Sequence, residues 1–123
     1  EAVLRLDPDL MIFWLAGPTA DLARSLGATV AREGFADLEY DDDGRIIVEP
    51  EPKAKDPERV AQQAVDLLEG HVTSTSGKHR DVEVDTICLY GDRPNAVEIA
   101  DALVARLDDL GVERVPAAAL LRG

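Results

Sequence analysis

Leu10-Met11-Ile12-Phe13-Trp14-Leu15-Ala16 is continuously apolar and bounded by Asp7-Pro8-Asp9 before and Gly17-Pro18 after. A short apolar run between turn residues reads as a strand buried on both faces, the kind found in parallel sheets. Pro18 suits a first helical turn, Leu22, Ala23 and Leu26 form an apolar stripe, and Gly27 ends it. The first unit is strand, turn, helix. Further along, Ala28 to Phe35 predicts a second strand, and Asp43-Gly44 between Tyr40 and Ile46-Ile47-Val48 predicts a hairpin or ordered loop. Asp56-Pro57-Glu58 supplies a cap, a first-turn proline and an acid for a helix whose apolar face runs from Val60 to Leu68 and stops at Gly70. His71 to Asp81 is polar, with a turn at Ser76-Gly77, and predicts a second small hairpin or loop. Val82 to Tyr90 predicts a strand ending at Gly91-Asp92, followed by a helix with Val97, Ala100, Leu103, Val104, Leu107 and Leu110 at helical spacing. Val112 to Val115 allows a last short strand. This order predicts an α/β fold with mostly parallel strands, residues 1–123 forming one domain without internal repeats.

Composition narrows the classes of function. The 123 residues are 46% hydrophobic and 31% charged, as in a soluble globular domain. The apolar run from Leu10 is far shorter than the roughly 18 residues of a membrane span, and no basic segment precedes it as in a signal peptide. No membrane association is expected. With 13 Lys plus Arg against 25 Asp plus Glu, the net charge of −12 repels a phosphate backbone, so nucleic acid is not an expected partner. One cysteine cannot form an intramolecular disulfide, and the expectation is a reducing, cytoplasmic location. A chain that starts at Glu1 is expected to be an excerpt or a processed product.

In parallel sheets ligands sit at the carboxyl ends of the strands. That rule selects Gly17-Pro18-Thr19, Phe35 to Tyr40, and Tyr90-Gly91-Asp92. Asp92 offers a base, a metal ligand or a substrate anchor; its alternative role is to cap or turn the chain into the next helix. Asp37, with Tyr40, offers a second carboxylate and a phenol at the same edge, or simply a turn. Cys88 lies in an apolar strand and reads as a buried thiol rather than a nucleophile. His71 and His79 lack zinc-ligand spacing, Asp41-Asp42-Asp43 lacks the rest of a calcium loop, and neither a Gly-x-Gly-x-x-Gly nor a Walker motif is present. No metal is expected. Spacing alone leaves the reaction open, and the strand-helix order also allows a small flavodoxin-like module.

Three stretches, taken in order, resemble the LamB/YcsF family. They are Leu15-Ala16-Gly17 after an Asp-Pro-led strand, Arg32-Glu33-Gly34-Phe35-Ala36-Asp37 with Tyr40 and Asp43-Gly44, and Ile87-Cys88-Leu89-Tyr90-Gly91-Asp92 before an alanine-rich helix. The resemblance runs from about Ala2 to Val115 and is to the C-terminal half of the family. It implies part of a distorted (β/α) barrel of the glycoside hydrolase and deacetylase type, because a whole barrel takes about 250 residues. It also implies ATP-coupled opening of the lactam of 5-oxo-L-proline to L-glutamate, by the A subunit of a 5-oxoprolinase working with subunits B and C. Asp37 and Asp92 would be the catalytic carboxylates, with Tyr40, Tyr90 and Gly91 binding substrate. Leu38 and Glu49 stand where the family usually has arginine, and Tyr90 where it has histidine. These departures imply the alternative of a diverged, catalytically inactive member used for binding or assembly. In either case the N-terminal half of the barrel, or self-association, is expected to cover the open edges of the sheet.

Overall fold

The computed structural model describes residues 1–122. The elements run α1 (Ala2–Leu6), β1 (Met11–Leu15), α2 (Pro18–Ser25), β2 (Thr29–Phe35), β3 (Glu39–Tyr40), β4 (Ile46–Ile47), α3 (Pro57–Leu68), β5 (His71–Thr73), β6 (His79–Asp81), β7 (Thr86–Cys88), α4 (Ala96–Asp109) and α5 (Ala117–Arg122). Strands β1, β2 and β7 form a parallel sheet in that order, so β2 is central. Two antiparallel hairpins, β3-β4 and β5-β6, stand apart from it as the turn signals predicted. The sheet is open, with the strand order of an α/β protein and without a closed barrel.

Alternation along the central strand sorts its side chains onto two faces. On one face Val30 packs with Ala20 and Ala28, and Ala36 joins Val60, Ala64, Ile99, Leu103 and Leu107 from α3 and α4. Helices α2, α3 and α4 therefore share that face. The register sets Leu15, Glu33 and Thr86 side by side, with Phe35 beside Cys88, on the opposite face. Asp56 caps α3 as its sequence position predicts, its carboxylate accepting the Glu58 N–H at 3.0 Å.

Two strand expectations are corrected. The apolar run from Leu10 predicts burial on both faces, but β1 has only β2 as a neighbour, and Phe13 and Trp14 stay 47% and 48% exposed. A continuous apolar pattern reports what a strand is suited to pack against, and β1 lies at the open edge of this sheet. Val112 to Val115 forms no strand, since β7 is bonded to β2 and the chain leaves α4 for α5 without returning to the sheet.

Candidate functional site

The site grows from the carboxyl end of β2, where the chain leaves the sheet through Ala36-Asp37-Leu38. Gln63 on α3 pins this exit by donating to the carbonyls of Phe35 and Leu38 at 2.8 and 2.6 Å. The Phe35 N–H donates to the hydroxyl of Tyr40 at 2.9 Å, folding β3 back over the strand end. Asp37 is thereby sealed in, at 1% exposure. Its Oδ2 accepts from the Tyr90 N–H at 3.1 Å and from Arg93 Nε at 3.2 Å, while Arg93 Nη2 donates to the Asp37 carbonyl at 2.7 Å. Asp37 Oδ1 is buried and has no hydrogen-bond partner, an arrangement native interiors rarely leave without a reason.

Arg93, 4% exposed, is the hub of the edge. Its Nη1 donates to Glu49 Oε2 at 2.8 Å and to the Lys53 carbonyl at 2.9 Å, and Lys55 Nζ meets Glu49 Oε1 at 2.8 Å. Asn95 fastens the same connection by exchanging hydrogen bonds with the Lys55 backbone at 3.2 and 2.7 Å. Residues 49–55 are thus strapped across the strand ends. Glu49 and then Asp37 hold the Arg93 guanidinium protonated against the desolvation that opposes it. Sequence reasoning missed Arg93. The signal available was weak: a single arginine directly after a strand-ending Gly-Asp.

Glu49 gives this network an acid limit. Hydrogen bonds from Arg93 and Lys55 pull its pKa down to about 2, from an ordinary value of about 4.3. A carboxylate depressed in the folded state adds stability above its unfolded pKa and loses it as pH falls through the folded one. The wild-type protein should therefore exceed Glu49→Gln in urea midpoint near neutral pH, with the gap closing from about pH 4.3 to about pH 2. A gap unchanged across that range would remove Glu49 from the network.

The predicted site residues do not all converge. Asp37 and Tyr90 meet through the Tyr90 backbone, and the Tyr90 ring stacks on Phe35 with centroids 5.8 Å apart. Tyr40 is buried with its hydroxyl committed to Phe35, so it offers a ring wall rather than a phenol. Asp92 and Gly91 are exposed; Asp92 borders a hollow of about 100 Å³ with Leu38, Glu49, Tyr90 and Arg93. Asp92 does not cap α4, whose N-cap residue is Asn95. Leu38 is a core side chain at 5% exposure. The cation that the resemblance places at positions 38 and 49 is supplied to Asp37 from Arg93 instead, with Glu49 as its second carboxylate.

A further carboxylate, Glu33, lies two residues before Phe35 on the face of β2 opposite Val30 and Gly34. It is partly buried and lines a cavity of about 300 Å³ with Leu15, Tyr40, Arg45, Ile46 and Val82. No hydrogen bond or ion pair joins Glu33 to another side chain among the described residues. Cys88 shares its face, and burial, followed by the charges of Glu33 and Asp37, pushes its thiol pKa up, the opposite of an activated nucleophile.

The other singled-out residues have structural partners. Asp41 Oδ1 accepts the N–H groups of Asp43 and Arg45, both at 2.9 Å, as a turn does. Asp42 ties the first hairpin to the second through Ser74, Ser76 and Lys78, which hold its pKa down at about 2. His71 and His79 stack with ring centroids 4.8 Å apart, and His71 lies near Asp66 and Glu69 at the end of α3. Those last three could place donor atoms within 4.8 Å of one another, but Glu69 is exposed and His79 stands outside the group. Three cations near the sheet are committed to carboxylates: Arg32 to Asp85 and Glu83, Arg93 to Asp37 and Glu49, and Lys55 to Glu49.

A parallel sheet with helices on one face and carboxylates gathered at its carboxyl edge defines an α/β protein with a strand-end site. The chain belongs to the LamB/YcsF family, which its sequence matches over residues 1–122. It is 38% identical over 120 residues to the A subunit of the 5-oxoprolinase of Pyrococcus furiosus, covering 94% of this chain and 47% of that protein. To the corresponding 5-oxoprolinase A subunit of Nitrobacter hamburgensis it is 39% identical over 120 residues, with the same coverage. The crystal structure of the lactam utilization protein from Thermus thermophilus superimposes with a TM-score of 0.77 at 34% identity, covering 91% of this chain and 46% of that one. The chain spans about half the length of the curated relatives it matches.

Proposed function

We propose that this chain is part of the A subunit of a 5-oxoprolinase, which opens the lactam of 5-oxo-L-proline to L-glutamate with ATP hydrolysis, in a cytoplasmic complex with subunits B and C. The observation that carries the reading is the family match over residues 1–122 together with relatives of that name. The strand-end carboxylates support it. Opening a cyclic amide needs a group that takes a proton from the attacking water and returns one to the leaving nitrogen, work that a positioned carboxylate can do. Asp92 is the solvent-facing carboxylate of the edge, and Asp37 is its buried counterpart, fixed by Arg93 with one oxygen unused. The open β1 edge, with Phe13 and Trp14 half-exposed, fits coverage by the other half of a barrel, which the relatives' double length could supply.

The test uses the complete protein containing this chain, mixed with subunits B and C, and measures ATP-dependent glutamate release from 5-oxo-L-proline. Release is the expected result. Formation of the complex without release would favour a scaffold retained for assembly, and no complex at all would refute the proposed partners.

A further inference from the structure

The cavity at Glu33 brings together a carboxylate, a cation and apolar walls. Glu33 brings a partly buried carboxylate with no partner, and it points away from the helices because Gly34, the next residue, faces Leu67 and Val84. Arg45 lines the same hollow; its side chain is 78% exposed, and among the described residues its guanidinium is paired with Asp43 alone, at 3.9 Å. Arg32 and Arg93, by contrast, are saturated by carboxylates. Leu15, Ile46, Val82 and Tyr40 supply apolar lining. The space, about 300 Å³, lies at the carboxyl ends of β1 and β2 and suits a small ring compound better than an extended chain.

We propose that this cavity is the subsite for the small cyclic acid, with Glu33 accepting the ring N–H and Arg45 pairing with the ligand's carboxylate. The assignment rests on the function proposed above and adds to it a residue, Glu33, that the sequence reading did not place in the site. The polarity has a chemical logic. A lactam N–H can only donate and a carboxylate can only accept, so the ligand calls for an acceptor and a cationic donor in its lining, the two roles Glu33 and Arg45 can fill. Leaving Glu33 desolvated and unpaired against a ligand without the N–H would weaken that ligand's binding.

The test measures binding to the complete protein assembled with its subunits, by calorimetric titration with 5-oxo-L-proline, with the lactone acid in which oxygen replaces the ring N–H, and with 2-pyrrolidone, which lacks the carboxylate. Both analogues should bind about ten-fold or more weakly. Glu33→Ala should erase the preference for lactam over lactone, and Glu33→Gln, which keeps a carbonyl acceptor, should restore part of it. Arg45→Ala, at an exposed position where folding is not at stake, should erase the preference for the acid over 2-pyrrolidone. If wild type binds 5-oxo-L-proline and Glu33→Ala keeps its lactam preference, the subsite is wrong and the proposed function stands. If wild type neither binds nor turns over 5-oxo-L-proline, both fall.

Discussion

Replacing Arg93 by alanine should destabilise the protein by about 3–5 kcal/mol, the range for removing one partner of a buried, hydrogen-bonded charge pair. The side chains of Arg93 and Asp37 are each 1% exposed, so water cannot replace what is lost. Four hydrogen bonds go at once: those to the Asp37 carboxylate and carbonyl, to Glu49, and to the Lys53 carbonyl. Asp37, already holding one unpartnered oxygen, would keep only the Tyr90 N–H. Arg93→Lys should recover a minority of the loss, because an ammonium cannot span both carboxylates and both carbonyls as a planar guanidinium does. The double variant Asp37→Asn/Arg93→Met should be less destabilised than the two single changes added together, since each single change strands the other's partner. Urea unfolding of the complete protein measures all of these variants. A loss below about 1 kcal/mol in Arg93→Ala would place the pair in the range of surface ion pairs and refute its role.

Much of this edge was hidden from the sequence, for reasons of distance along the chain. The strand-helix order was legible because it rests on local signals: Pro18 opening α2, Asp56 capping α3, and Leu103 and Leu107 at helical spacing on α4, although Val97, Val104 and Leu110 of that predicted stripe are exposed. Both hairpins were legible from Asp43-Gly44 and Ser76-Gly77. Arg93 was not, because its bond to Asp37 joins residues 56 apart and its bond to Glu49 joins residues 44 apart. A pattern read position by position counts Leu38 and Glu49 as lost cations; the fold moves a cation in from a third position. The same limit applies to Glu33, whose isolation only the register with Leu15 and Thr86 reveals. The half-exposed face of β1 shows the converse: an apolar pattern marks a strand suited to burial, and at this sheet's edge Phe13 and Trp14 remain half-exposed.

Gly34 tests the packing that aims Glu33 and Asp37. It sits in the middle strand of the sheet, and a Cβ built there would lie 2.8 Å from Val84 Cγ1 and 2.9 and 3.2 Å from the two Leu67 methyls. Its φ is not positive, so the requirement is space and not backbone conformation. Leu67 is 1% exposed and cannot swing into solvent. Alanine gains something by restricting the unfolded chain, about 0.4–1 kcal/mol, but overpacking a filled core costs about 1–3 kcal/mol. Gly34→Ala should therefore be net destabilising, and Gly34→Val, with two more carbons against the same methyls, should reach the upper end of that range or pass it. Gly91→Ala is the matched control, since nothing lies within 4 Å of its Cβ position and its φ is not positive either; its urea midpoint should equal or slightly exceed the wild-type value, because only the unfolded-chain gain applies. Trimming the obstacle should rescue the valine variant: Gly34→Val combined with Leu67→Ala should be less destabilised than the two single losses added together. Because Gly34 directly follows Glu33 and precedes Asp37 by three residues, any outward shift of β2 also moves both carboxylates. On the proposed function, the residual folded fraction of Gly34→Val should then bind 5-oxo-L-proline more weakly than wild type, and a variant as stable as wild type would show that α3 packs less closely on the sheet than these distances require.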